Sequence, residues 1–375
     1  MRARKSKLFI TILFSSVLSV FIFSCKNGIT EPQPSVLTKD TIQKLQAAAD
    51  KEMMNTQTPG LMAYISVEGE GELYIIRGVS NLVTSEPMKA ENFWRIGSVT
   101  KTITSEAVLI LADEGKIDLN KPISFYLPEL NIPSGDKITI PMLANMTSGL
   151  NEYANDDLVN ALLISNGQKV FDPAQLLVGA LAHPLQFEPG SQYNYCNTNY
   201  LLLGELIKKV TGKTVIEVLN EKVFQPLGMK NTFWPNTSYL PFPYSHGYFI
   251  NDGSLLDVTN WNPSWGGAAG ILTSNIFDLK IWVREMVEAK LLSAKMKGVR
   301  FTWVDSDIPG LTSSGFGLEK YADWIGHPGS IIGYNTQVYY NTVNKISIII
   351  YTNSLDGYPA ATVLIDFANI LSPLK

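Results

Sequence analysis

Apolar and polar positions change their period twice along this chain. Residues 39–54 repeat apolar side chains at helical spacing, with Ile42, Leu45, Ala48 and Ala49 on one face and Thr38 placed as the cap. Two strand-like runs follow, 61–67 and 72–77. Glu68-Gly69-Glu70-Gly71 between them reads as a hairpin turn. A short apolar run then stops at Gly97. Ser98 opens a helical pattern whose apolar face is Ile103, Ala107, Val108, Ile110 and Leu111, and which ends near Gly115. From about 120 to 310 the pattern is mainly helical, punctuated by Pro128, Pro133, Pro173, Pro189 and Pro226. Residues 201–210 and 215–223 read as helices broken at Gly212, and Thr273 or Ser274 is placed to cap a further helix running to about Lys290. Strand patterning returns at the end. Residues 334–340 alternate, 341–345 turn, 347–351 are β-branched, and 358–371 close the chain as a helix.

Strands and a helix at each end around a helical middle predict an α+β fold. The two ends build an antiparallel sheet flanked by the terminal helices, the middle forms an inserted, mostly helical lobe, and a cleft lies between them. The composition allows a sizeable core, at 45% apolar and 17% charged residues over 375 positions.

The first 24 residues stand apart. Arg2, Arg4, Lys5 and Lys7 make a basic start, and 8–23 are apolar with scattered Ser and Thr. Cys25 follows in Ile22-Phe23-Ser24-Cys25, which resembles a bacterial lipoprotein signal, where the cysteine is acylated and becomes the new amino terminus. The expected organisation is therefore a signal peptide over 1–24, a lipidated linker over 25–38 and one domain over 39–375. An uncleaved anchor helix is the rival reading, although the apolar run is short for a span, which needs about 20 residues. Either way the body of the protein lies outside the cytoplasm. Loss of 1–24 leaves 26 basic against 34 acidic residues, a net charge of −8, with no basic patch for nucleic acid. Cys196 is the only other cysteine, so an acylated Cys25 leaves no disulfide within the chain.

Candidate chemistry begins at Ser98 and Lys101, three apart and so on one face of the same first turn. A serine hydroxyl needs a base, and an amine pushed toward neutrality by an apolar surrounding is one. The helix amino terminus also offers free N–H groups to an oxyanion. By itself, Ser-x-x-Lys equally describes an ordinary capped helix. A second element is Tyr195-Cys196-Asn197, in a loop after the Pro189-Gly190 turn. The phenol can pass a proton to a leaving group, and the amide can bind a substrate carbonyl and orient the lysine. Cys196 reads as a small buried side chain. The third element is His327-Pro328-Gly329-Ser330. Pro328 suits an edge strand, Gly329 permits close approach, and the Ser330 N–H can join that of Ser98 as an oxyanion hole. Three histidines and no H-E-x-x-H give no reason to expect a metal or other cofactor. His183 and His246 are read as loop residues.

Ser98-x-x-Lys101, Tyr195-x-Asn197 and His327-x-Gly329, in this order, resemble the signature of the serine β-lactamase and penicillin-binding protein superfamily. The tyrosine and histidine elements are similar to the class C-like branch, among DD-carboxypeptidases and esterases. Phe187 to Gly190, Phe224 to Met229 and Gly270-Ile271-Leu272-Thr273-Ser274 extend the likeness across almost the whole domain. Cys196 stands where serine is usual, and Asn145-Met146 where the family often has Thr-His. His327 stands where class C β-lactamases carry lysine, which argues against efficient β-lactam hydrolysis.

The resemblance implies a serine hydrolase working through an acyl-enzyme. Ser98, Lys101 and Tyr195 would be catalytic, while Asn197, His327, Gly329 and Ser330 would bind substrate or the oxyanion. Whether Lys101 or Tyr195 is the acylation base stays open at this point. The expected substrate is a D-alanyl-D-alanine end of peptidoglycan. Esterase, D-aminopeptidase or β-lactamase activity is the near alternative, and a tethered penicillin- or peptidoglycan-binding sensor with slow deacylation is the distant one.

Overall fold

The strands expected at the two ends of the chain meet in one antiparallel sheet. This is seen in a computed structural model that describes residues 35–155, 166–251, 253–306 and 313–372. Strands β1 (Gly60–Val67) and β2 (Gly71–Asn81) form the predicted hairpin, with Val67 opposite Gly71 across the turn, and β3 (Glu86–Pro87) lies beyond β2. Two short pairs stand apart from the main sheet. They are β4 (Trp94–Arg95) with β7 (Thr273–Ser274), and β5 (Tyr248–Asn251) with β6 (Ser254–Asp257). The C-terminal part supplies β8 (Val304–Asp305), β9 (Ser313–Ser314), β10 (Glu319–Tyr321), β11 (Trp324–Ile331), β12 (Tyr334–Asn341) and β13 (Ile346–Thr352). The order across the sheet is β3-β2-β1-β13-β12-β11-β10-β9-β8, so the first long strand and the last lie side by side, Leu61 opposite Thr352.

Alternation along these central strands decides what covers each face. Leu61, Ala63 and Ile65 of β1, with Ile346, Ile348 and Ile350 of β13, pack under the two terminal helices, α1 (Lys39–Asn55) and α5 (Pro359–Leu371). Met62, Tyr64, Ile349 and Tyr351 point the other way, into the larger core with the middle of the chain. Every residue of β1 and β13 is buried, which is why both strands are mostly apolar on their two faces, with only Ser66 in β1 and Ser347 and Thr352 in β13 as polar exceptions. Thr38 caps α1 as expected, its hydroxyl accepting the Thr41 N–H at 3.1 Å.

The larger core is built around α2 (Val99–Asp113), which packs against α3 (Asn197–Thr211) and is tied to α4 (Ile276–Glu288) by the Trp282 indole N–H donating to Thr102. The pattern predicts one apolar face on α2, but every residue from Val99 to Leu111 is buried. Its polar residues each find a distant partner. Thr104 donates to the Ala268 carbonyl, Ser105 meets the Tyr200 hydroxyl, and Glu106 pairs with Arg300. Two boundaries differ from expectation. Helix α3 starts at Asn197 rather than Leu201, ending as predicted at left-handed Gly212. Asn275, not Thr273 or Ser274, caps α4, because those two residues pair with Trp94 and Arg95. The segments read as signal peptide and lipidation site, including Cys25, lie outside the described residues.

Candidate active site

Ser98 sits where β4 turns into α2. It is the N-cap of that helix, yet its hydroxyl makes no capping bond. The oxygen instead lies 2.9 Å from Lys101 Nζ and accepts the Tyr195 hydroxyl at 2.8 Å. The plain capped-helix explanation of Ser-x-x-Lys therefore fails here. One local side chain, Lys101, and one remote side chain, Tyr195, converge on a single partly exposed oxygen.

Lys101 is fully buried because α2 is buried on all sides. Its Nζ donates to the Ala269 carbonyl at 2.8 Å and lies 4.9 Å from the Tyr195 ring centre. Loss of solvent pulls its pKa down to about 7, against the opposing fields of Glu152 and Glu319. A sizeable fraction of the amine is thus neutral at neutral pH. Tyr195 is driven the other way. Burial, with nearby Glu319, holds its phenol well above 10, so it stays protonated. The contrast favours Lys101 over Tyr195 as the proton acceptor.

The loop carrying Tyr195 is pinned to residues 146–149 by backbone bonds. Asn194 N–H donates to the Met146 carbonyl at 2.9 Å, Gly190 to Thr147 at 2.8 Å and Gln186 to Gly149 at 2.8 Å. Thr147-Ser148-Gly149-Leu150 thus acts as the scaffold of the second element. Cys196 points inward, buried, with its thiol pushed up to about 12 by burial.

The third element meets Ser98 backbone to backbone. Gly97 has φ +51, and a Cβ there would lie 2.7 Å from Ser330 N and 2.8 Å from Ser330 C and O. A Cβ on Gly329 would lie 2.1 Å from the Ile96 carbonyl oxygen. Only glycine permits this contact at either place. It sets the Ser330 backbone directly against Gly97, the residue before Ser98. Strand β11 is not simply an edge. Strand β12 lines its whole length, while β10 pairs only with Trp324 to Gly326, leaving the side from His327 onward open.

Two expected roles are changed by the geometry. The Asn197 side chain does not hold the lysine, since the Ala269 carbonyl does so. The Asn197 N–H is instead bound by the Glu152 carboxylate, which caps α3 from outside the helix. His327 is buried rather than open to the cleft, its Nδ1 donating to the Pro328 carbonyl at 2.5 Å. Burial first, and then Lys101, lower its pKa to about 3, so it is neutral at working pH and offers no charge to a substrate carboxylate. Two carboxylates escaped the sequence reading, Glu152 and Glu319. Neither falls in a recognisable spacing, and only the fold carries them to Lys101.

The family profile described as Beta-lactamase matches residues 40–370. The chain belongs to this family. Family membership and the likeness to a named amidohydrolase are those of serine-type hydrolases. A D-aminopeptidase of Brucella anthropi is 28% identical over 343 residues, 89% of this chain and 63% of that protein. Protein flp of Staphylococcus aureus strain MW2 is 23% identical, covering 86% of this chain and 65% of that protein. The chain thus spans about two thirds of the length of these curated relatives. Among solved structures, a D-stereospecific amidohydrolase from Streptomyces sp. superposes with a TM-score of 0.80 at 28% identity. It covers 89% of this chain and 99% of that one. The family's mixed fold is the α+β architecture seen here.

Proposed function

We propose that this protein hydrolyses amides of D-amino acids bearing a free amino group, through an acyl-enzyme on Ser98. The observation that carries the substrate choice is the neutral, buried state of His327. A D-alanyl-D-alanine carboxypeptidase, the activity expected from the motifs, must hold a terminal carboxylate, and an uncharged inward-facing imidazole serves that poorly. A half-buried carboxylate, Glu152, instead lies next to Asn197 and within the field of Lys101, suited to an ammonium group. The names of the relatives, D-aminopeptidase and D-stereospecific amidohydrolase, support the same choice.

In this reading Ser98 Oγ attacks the carbonyl carbon and its proton passes to the Lys101 amine. The N–H groups of Ser98 and Ser330 receive the oxyanion. Tyr195 gives its phenolic proton to the departing amine and is reprotonated by the Lys101 ammonium. Water then attacks the ester by the same path in reverse, losing its proton toward Lys101 and freeing Ser98.

The test compares D-alanine para-nitroanilide, its N-acetyl derivative and an N-acyl-D-Ala-D-Ala peptide, with Ser98→Ala as the blank. Preference for the free-amine anilide supports the proposal. Preference for the peptide returns the carboxypeptidase reading, and activity surviving in Ser98→Ala refutes the nucleophile. We also propose that Cys25 is acylated and tethers the protein at the cell envelope, facing D-amino-acid peptides of peptidoglycan. Membrane fractionation unchanged by Cys25→Ala would remove that part.

A further inference from the structure

Met146, which leads into the scaffold of the second element, adopts a backbone conformation that side chains rarely take. The short helix Ile140–Ala144 ends on Asn145, and Met146 follows in the left-handed region, at φ +67. The Met146 N–H donates to the Leu143 carbonyl at 3.4 Å and the Thr147 N–H to the Met142 carbonyl at 2.9 Å. This is the helix-ending turn in which glycine usually takes the left-handed place, because a Cβ is strained there. A strained residue kept beside a reacting group points to work done by its side chain.

That side chain is buried, and its sulfur accepts two N–H groups. The Cys196 backbone N–H donates to Met146 Sδ at 3.4 Å, and Asn199 Nδ2 does so at 3.6 Å, the sulfur being a weak acceptor of large radius. The Asn199 amide is oriented for this, because its Oδ1 already accepts the Ser148 hydroxyl at 2.6 Å. Cys196 is the N-cap of α3, so its N–H has no carbonyl of that helix behind it. Among the described residues, the sulfur is the acceptor it meets. The Met146 carbonyl meanwhile accepts the Asn194 N–H at 2.9 Å. One residue thus holds the chain on each side of Tyr195, by its carbonyl before and by its sulfur after. The Tyr195 hydroxyl, which donates to Ser98 Oγ at 2.8 Å, stands at the far end of the side chain so anchored.

We propose that Met146 is a positioning residue for Tyr195. Its sulfur fixes the peptide that follows the tyrosine, and with it the place from which the phenol serves Ser98 and the departing amine. Without the sulfur, the buried Cys196 N–H has lost its acceptor, and the peptide must turn to find another. That rotation is carried outward along the tyrosine to its hydroxyl. The inference rests on the proposed proton transfer from Tyr195.

The test is a double-mutant cycle of Met146→Leu and Tyr195→Phe in the full chain, read as kcat and KM on whichever of the three substrates above is turned over fastest. Leucine is apolar and of similar volume but offers no acceptor. With Tyr195 present, Met146→Leu should lower kcat roughly 10- to 100-fold and leave KM within about twofold of the native value. With Tyr195→Phe in place it should change kcat by less than about twofold, because the hydroxyl it positions is gone. A merely structural methionine would lower kcat by the same factor in both backgrounds. That result overturns the inference, as does a folded Met146→Leu with native kcat. If Met146→Leu does not fold, Met146→Gly decides by the same two comparisons, since glycine suits the left-handed turn and also removes the sulfur. Failure of both to fold makes the sulfur a structural group only and overturns the inference as well. If Tyr195→Phe alone keeps native kcat, or none of the three substrates is turned over, the proton-transfer reading fails and takes this inference with it.

Discussion

Gly97→Ala tests the backbone contact on which the proposed oxyanion hole depends. The residue has φ +51, a conformation that costs an alanine about 1–2 kcal/mol. The added Cβ would stand 2.7 Å from Ser330 N and 2.8 Å from Ser330 C and O. Ordinary contact begins nearer 3.5 Å, so the Ser330 backbone must retreat by roughly 0.7 Å. A donor working at about 2.9 Å would then stand near 3.6 Å, outside hydrogen-bond range. Loss of one oxyanion donor costs about 100- to 1,000-fold in kcat. The variant should therefore fold with a stability loss of about 1–3 kcal/mol, seen by calorimetry as a few degrees in Tm. Its kcat should fall by about two to three orders of magnitude while KM changes little. A folded variant with kcat within about threefold of the native value would refute the claim that Ser330 supplies an oxyanion donor.

Other substitutions probe separate parts of the site. Lys101→Met should abolish acylation and raise stability at neutral pH. The native lysine titrates at about 7 when folded and near 10.5 when unfolded, so folding expels a proton between those values. That penalty, up to about 5 kcal/mol, is complete below pH 7 and fades as pH rises toward 10.5. Calorimetry should show the variant's advantage shrinking with rising pH, and a pH-independent difference would contradict the lowered pKa. Tyr195→Phe should lower kcat about 100- to 10,000-fold without moving the acid limb of the pH profile, because the phenol stays protonated throughout. Arg300→Leu strands Glu106 in the core and should cost about 3–5 kcal/mol in denaturant unfolding, a loss under about 1 kcal/mol meaning that Glu106 simply binds a proton there.

What could be read in advance was local. Thr38 as a cap, the Glu68 to Gly71 turn and the stop at Gly212 each depend on residues a few positions apart. Ser98 and Lys101 are likewise one helical turn. The parts that were missed depend on partners far away in the chain. Helix α2 looks amphipathic in sequence because nothing nearby says that Glu106 will meet Arg300, 194 positions on, or that Thr104 will donate to Ala268, 164 positions on. Thr273 and Ser274 look like caps until Trp94 and Arg95 arrive to pair with them. His327 looks like a substrate ligand until burial makes it neutral and turns it toward Glu319. The identities of the reacting groups lay in short motifs. Their charge states did not, because they are properties of the assembled core.

The central claim is that Lys101 beside Ser98 is substantially uncharged at neutral pH. The direct measurement is the pKa of its side-chain amine in the folded protein, followed by nuclear magnetic resonance of selectively labelled lysine and assigned by comparison with Lys101→Met. A resonance that vanishes in that variant and titrates at about 7 is the predicted result. A Lys101 resonance titrating near the ordinary lysine value of about 10.4 would contradict it.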